Sequence, residues 1–320
     1  MSFYSGGFIP NQDPENCINV DLNDLSAIYQ YLISNVYQQD RYCQDVATIV
    51  YNHARGITSR NFVCGPSGSG KTFAFECVKK IFPRTLILNA ASLTKDGWKG
   101  GNKVTGFLKN IDPMHPDYII IWDEFDKAAT PQYSSHGDNT SEAIQSEFLK
   151  LLDGETVMIK KDDHEVPVDT SKMSFIFCGS FNRQAEIIAK RESRHTFGFG
   201  TETSVCEKYS RELDLNDILE AGVLNELVSR VVRVSNVRPL TLEDYKHLLK
   251  DFVGSPVKQL EERNQIKLNI SDEKLDEIAA EAFHSKLGVR NATAQIQRLI
   301  DLQIFDSFQK NHKRPDSIDL

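Results

Sequence analysis

The chain of 320 residues carries 37 Lys+Arg against 45 Asp+Glu, a net charge of -8, and 40% hydrophobic residues. That is enough for one large or two modest domains with a sizeable core, and the acidic balance disfavours nucleic acid as a general partner. No apolar run approaches the ~20 residues that span a bilayer, and the start MSFYSGGFIPNQDPEN has neither the basic flank nor the apolar stretch of a secretion signal, so a soluble, cytoplasmic protein without a membrane partner is expected.

Residues 1–20 carry Gly, Pro, Asn and Asp without apolar periodicity and read as a tail. The spacing then predicts a helix from about Asp21, with Leu22, Leu25, Ile28 and Leu32 on one face. A second follows from about Asp40, with Cys43, Val46, Ala47, Val50 and Tyr51. From Arg60 onward, helical patterns alternate with apolar runs at Phe62–Cys64, Thr85–Leu88, Tyr118–Trp122, Ser174–Cys178 and Val231–Val234. Runs without polar alternation suit strands buried on both faces, so an α/β fold with a mostly parallel sheet is expected over residues 21–238. After Pro239 the pattern changes. Thr241, Ser255-Pro256 and Ser271 read as helix starts and Gly254 and Gly288 as stops, while Ile266–Ile270 and Ser317–Leu320 read as extended. A small, mainly helical domain is therefore expected over residues 239–320. Cys17, Cys43, Cys64, Cys77, Cys178 and Cys206 never form a C-x-x-C pair, and neither structural disulfides nor zinc are expected.

Gly65-Pro66-Ser67-Gly68-Ser69-Gly70-Lys71-Thr72 fits G-x-x-x-x-G-K-[ST] between a strand and a helix carrying Phe73, Phe75 and Val78. Glycines let the backbone fold around phosphates with its N–H groups pointing inward, and the positive end of the following helix adds attraction. Lys71 would bridge the β- and γ-phosphates of ATP, and Thr72 would hold Mg²⁺. Downstream, Tyr118–Trp122 runs into Asp123 and Glu124. Two carboxylates ending a buried strand are costly unless they meet a cation or water. Asp123 would complete the Mg²⁺ shell and Glu124 would polarise the attacking water, which points to ATP hydrolysis.

Several further segments follow in chain order: Val36-Tyr37-Gln38-Gln39 with Val50-Tyr51-Asn52-His53; Gly97-Trp98-Lys99-Gly100; Asp169-Thr170-Ser171-Lys172 running into Gly179-Ser180-Phe181; Gly222–Arg230; and Gly288-Val289-Arg290. On these, the chain over roughly residues 21–320 resembles the AAA+ ATPases, and among them the ClpX-type protein unfoldases. The resemblance implies an adenine-side segment at Val36 and Tyr37 and an aromatic pore loop at Gly97, Trp98, Lys99 and Gly100. It implies a first sensor at Ser180 or Asn182, between which spacing does not choose, and a second sensor at Arg290. Arg230 matches the arginine finger that one subunit inserts into its neighbour's site, with Arg233 and Arg238 as lesser candidates.

A homo-oligomeric ring, by resemblance a hexamer, that threads polypeptide through its pore follows from that likeness. Phe197-Gly198-Phe199 resembles the loop that docks on a ClpP-like peptidase, with an aromatic where the family has an isoleucine-like side chain. Three departures stand out. ClpX proteins usually begin with a zinc domain built on paired C-x-x-C motifs, which these residues do not contain. Trp98-Lys99 replaces the usual Tyr-Val, and residues 156–169, TVMIKKDDHEVPVD, replace a longer basic loop. Competing readings are a nucleic-acid-associated AAA+ motor or switch using Lys95, Lys99, Lys103 and Lys109, and a nucleotide-gated scaffold.

Overall fold

The computed structural model of the protein describes residues 17–93, 103–132, 139–161, 164–193, 211–285 and 288–320. Helices α1 (Leu25–Asn35) and α2 (Asp40–His53) come first. α1 starts later than Asp21 because Asp24 caps it, its carboxylate accepting the Ser26 N–H at 2.8 Å, while Asp21 is spent on a turn of its own through the Asn23 N–H. Of the apolar face expected on α1, Ile28 and Leu32 are buried and Leu25 is exposed. α2 follows its predicted spacing, with Cys43, Val46, Ala47 and Val50 buried.

Strand β1 (Arg60–Cys64), helix α3 (Lys71–Ile81), β2 (Thr85–Asn89) and β3 (Ile119–Asp123) come next, then helices α4 (Phe125–Ala129) and α5 (Thr140–Leu152). Beyond strands β4 (Thr156–Lys161) and β5 (His164–Asp169) come β6 (Ser174–Gly179), helices α6 (Asn182–Ser193), α7 (Leu215–Glu220) and α8 (Asn225–Val228), and β7 (Arg233–Asn236). The main sheet has the order β2-β3-β6-β1-β7, with every pair parallel. Alternate residues of one strand serve opposite faces: Ile120 and Trp122 join the cluster of Phe62, Phe125, Phe148 and Phe177, whereas Ile119 and Ile121 join that of Ile28, Val46 and Phe75. Burial on both faces is why these strands read as unbroken apolar runs.

The expectations for β7 and Gly288 need correction. β7 begins at Arg233, two residues later than expected, because a turn continues past α8: the Arg230 and Val231 N–H groups donate to the Leu227 and Val228 carbonyls. β4 and β5 pair antiparallel, with Val157 opposite Val168 and Ile159 opposite Val166. Ile159 and Val168 are buried, so this alternating pair has a core-facing side.

The remainder forms helices α9 (Leu242–Lys250) and α10 (Pro256–Asn264), strand β8 (Lys267–Asn269), helices α11 (Asp272–His284) and α12 (Val289–Asn311), and strand β9 (Ser317–Asp319). Thr241, Ser255 and Ser271 are the N-caps of α9, α10 and α11, as predicted, and β8 pairs in parallel with β9. Tyr245, Leu249, Leu260, Ile278, Ile296 and Ile300 pack a core of their own. Gly288 is not a stop. It caps the start of α12, and Gly254 lies beyond the end of α9. The α/β sheet with a helical C-terminal part is the fold class expected. Among the described residues no helix is long and apolar enough to cross a membrane.

Candidate active site

Because β6 lies between β3 and β1, three strands end side by side: Cys64 pairs with Gly179, and Trp122 with Phe177. Their carboxyl ends deliver the phosphate loop, the Asp123-Glu124 pair and Ser180 to one edge, where open α/β sheets bind ligands. A cleft of about 680 Å³ lies there, walled by the phosphate loop and α3, by Asp123, Glu124 and Asp126, and by the small helical part.

The phosphate loop turns into α3 at Gly70, whose φ of 94° is left-handed and suits a residue without Cβ. Lys71 is the first residue of α3 and is 8% exposed; its Nζ donates to the Gly65 and Pro66 carbonyls, both at 2.7 Å. Burial pulls its pKa below the ordinary lysine value, against the opposing charges of Asp123 and Asp126. The Tyr42 hydroxyl donates to the Lys71 carbonyl at 2.6 Å, so α2 holds the start of α3 in place.

Thr72 Oγ1 donates to Asp123 Oδ2 at 2.7 Å. These are two hard oxygen donors side by side next to the phosphate loop, the donor set from which Mg²⁺ is held together with substrate phosphates, so the residues fit that ion. Glu124 has a φ of 57°, and its N–H donates to Asp123 Oδ1 at 2.8 Å. Fully buried Phe125 follows, wedged 4.7 Å from the Phe177 ring. That anchoring turns the Glu124 carboxylate out to the cleft, where Oε2 lies 3.0 Å from Lys127 Nζ and 3.4 Å from Asn89 Nδ2.

Both first-sensor candidates line the cleft. Ser180 Oγ donates to Asp126 Oδ2 at 2.8 Å and the Phe181 N–H to the same oxygen at 3.2 Å, while Asn182 opens α6. Val36 and Tyr37 line the cleft with Leu248, Phe252 and Val289 from the small part. Tyr37 meets Phe252 edge to face at 5.2 Å. Arg290 lines the cleft from the first turn of α12. The backbones of Gly68 and Gly288 are in such close approach that a Cβ on either would sit 2.5 Å from the other's Cα.

Arg230 does not line this cleft. It pairs with Asp153 at 2.6 Å, and that hydrogen bond holds the Asp153 carboxyl below the usual carboxylate range. The lesser finger candidates are engaged within their own chain: Arg233 pairs with Asp45 at 2.6 Å, and Arg238 joins Gln38 to Asp244. Gly97, Trp98, Lys99, Gly100, Phe197, Gly198 and Phe199 lie outside the described residues.

Sequence reasoning missed Asn89, Asp126 and Lys127. Asn89 closes the apolar run of β2, and the β2–β3 register sets it beside Asp123. A polar residue ending an apolar strand was the available signal. Asp126 and Lys127 stood in plain view after the DE pair, but their contacts depend on how α4 packs.

Residues 62–199 match the family described as ATPase family associated with various cellular activities (AAA), and residues 240–319 match the C-terminal, D2-small domain of ClpB protein. Two relatives, from Treponema denticola and Bacteroides thetaiotaomicron, are both named ATP-dependent Clp protease ATP-binding subunit ClpX. Each is 26% identical over 314 residues, covering 87% and 85% of this chain and 76% and 74% of the relatives.

Proposed function

The chain is a ClpX-like AAA+ ATPase, and on that premise we propose that it is an ATP-driven protein unfoldase working as a homo-oligomeric ring, by family likeness a hexamer. Residues 21–238 serve as the ATPase domain and 239–320 as its lid. The observation that carries this reading is the meeting of Lys71, Thr72, Asp123 and Glu124 in one cleft that Arg290 also lines from α12.

Each residue then has a task. Lys71 and the N–H groups of the phosphate loop hold the β- and γ-phosphates, and Val36 and Tyr37 flank the base. Thr72 and Asp123 would hold Mg²⁺, which would neutralise charge on the phosphate oxygens. Glu124 takes the proton of the attacking water. Ser180 or Asn182 contacts the γ-phosphate, with Asp126 orienting the serine. Arg290 contacts it from the lid, so phosphate loss changes the angle between the two parts. Arg230 lies away from its own cleft and serves a neighbour's, stabilising charge that develops in the transition state.

Trp98, between Gly97 and Gly100, grips extended polypeptide by apolar contact that needs no particular sequence. Phe197-Gly198-Phe199 docks on a ClpP-like peptidase. Steady-state ATPase assays test the substrate class: unfolded polypeptide should stimulate turnover, DNA and RNA should not, and Trp98→Ala should lose the stimulation. Stimulation by nucleic acid alone would favour the competing motor. A pull-down with a ClpP-type ring in the presence of ATP tests the partner, and Phe199→Ala should abolish the association.

A further inference from the structure

Arg230 is held on three sides. Its Nε donates to Asp153 Oδ1 at 2.6 Å, its Nη2 to Asp153 Oδ2 at 3.0 Å, and its Nη1 to the Glu226 carbonyl at 2.5 Å. A guanidinium carries five N–H donors, so one remains on each Nη. The side chain is 30% exposed, which leaves those two donors a path outward. Val232, two residues further on, is 70% exposed, an apolar side chain of the kind an assembly contact covers.

Asp153 itself stands on a firm base. It is the C-cap of α5, behind fully buried Phe148, Leu151 and Leu152. The Thr170 hydroxyl sits between the Glu155 and Leu151 carbonyls, at 2.8 and 3.1 Å, and braces the chain on both sides of Asp153. The negative end of α5 adds to the attraction for a cation placed there. An arginine fixed this way has already given up most of its rotamer freedom, and loses less when it meets a phosphate than a free one would.

We propose that Asp153 is a positioning residue for ATP hydrolysis: by gripping Arg230 along one edge, it presents the remaining edge of the guanidinium to the γ-phosphate in the neighbouring subunit's cleft. This rests on the reading of Arg230 as a finger acting across a subunit boundary. Asp153 touches no substrate and acts only through Arg230. The opposite role, a carboxylate that competes with phosphate and holds the finger back, predicts the opposite sign in the same experiment.

The test uses the assembled full chain. In Asp153→Ala, kcat for ATP should fall by about tenfold to a hundredfold, the range that misplacing a reacting group costs, with KM unchanged. Asp153→Glu should recover part of the loss, and Arg230→Ala/Asp153→Ala should be no worse than Arg230→Ala alone. Mixing Asp153→Ala with Glu124→Gln should restore activity, because the second chain brings an intact Arg230–Asp153 pair to the first chain's working site. A mere packing defect would not respond to mixing. Turnover in Asp153→Ala at or above that of the unaltered chain, with Arg230→Ala inactive, overturns this inference alone. Loss of assembly, or a loss of kcat without rescue on mixing, also overturns it. Full activity in Arg230→Ala overturns the finger reading beneath it.

Discussion

At Glu124 a left-handed backbone, with φ at 57°, sits where the sheet meets the cleft. For a residue with a side chain this costs about 1–3 kcal/mol and persists only where the surroundings fix it. Here the Asp123 carboxylate accepts the Glu124 N–H, and buried Phe125 is locked among aromatic rings. The strained turn separates two acidic neighbours into different tasks: Asp123 faces Thr72 while Glu124 faces Asn89 and Lys127. Glu124→Gln keeps the shape and the Asp123–Thr72 pair but cannot take up a proton. It should bind ATP as tightly as the unaltered chain, measured by nucleotide titration, while steady-state turnover falls by about 10²–10⁴-fold. Near-normal turnover would remove Glu124 from the chemistry. The phosphate loop and the DE pair were legible because each is a local string whose spacing has physical meaning. Asn89 and Asp126 were not, since their partners lie on other strands or past a turn and only the pairing of β2, β3 and β6 brings them close.

Among the elements, unbroken apolar runs revealed the central strands, because a strand covered on both faces leaves no polar alternation. The β4–β5 pair is harder to read, because Lys160, Lys161, His164 and Glu165 outweigh the short alternation of Val157, Ile159, Val166 and Val168. Gly288 shows a different ambiguity. A glycine between two helical patterns can end one or begin the next, and only its φ of 76° and ψ of -169° at the start of α12 decide. Its position also joins two functional elements, for a Cβ there would lie 2.5 Å from the Gly68 backbone. Gly288→Ala should therefore push α12, which carries Arg290, away from the phosphate loop. The expected cost is about 1–3 kcal/mol of stability, read from thermal unfolding, together with ATP affinity weaker by about tenfold. Gly56→Ala is the control: Gly56 also has a left-handed φ, of 79°, yet a Cβ there would meet nothing within 4 Å. It should lose some stability and keep its ATP affinity. Equal affinity losses in both variants would mean that backbone strain, not the contact with Gly68, is responsible.

On the proposed reading, the whole molecule divides the work of hydrolysis between chains. Phosphate loop, Asp123, Glu124 and Arg290 converge on one cleft, whereas Arg230 is fixed beside Asp153 at the end of α5 and is absent from that cleft's lining. Arg233 and Arg238 are ion-paired within the chain as well, with Asp45 and Asp244. Arg238 bridges the α1–α2 connection at Gln38 to Asp244 in the first turn of α9, so it ties that side of the cleft to the small helical part. On that reading, a single chain binds ATP and activates water, while Arg230, absent from the lining of its own cleft, serves the neighbour's. Two consequences are measurable. ATP turnover per chain should fall on dilution, in step with the loss of the ring seen by light scattering, while nucleotide affinity per chain persists. Arg230→Ala should bind ATP yet lose turnover by about 10³-fold or more, the scale on which such a finger acts. Mixed with Glu124→Gln, it should regain part of that turnover, since each chain supplies what the other lacks. Turnover per chain that stays constant through dissociation of the ring would place the complete site within one subunit.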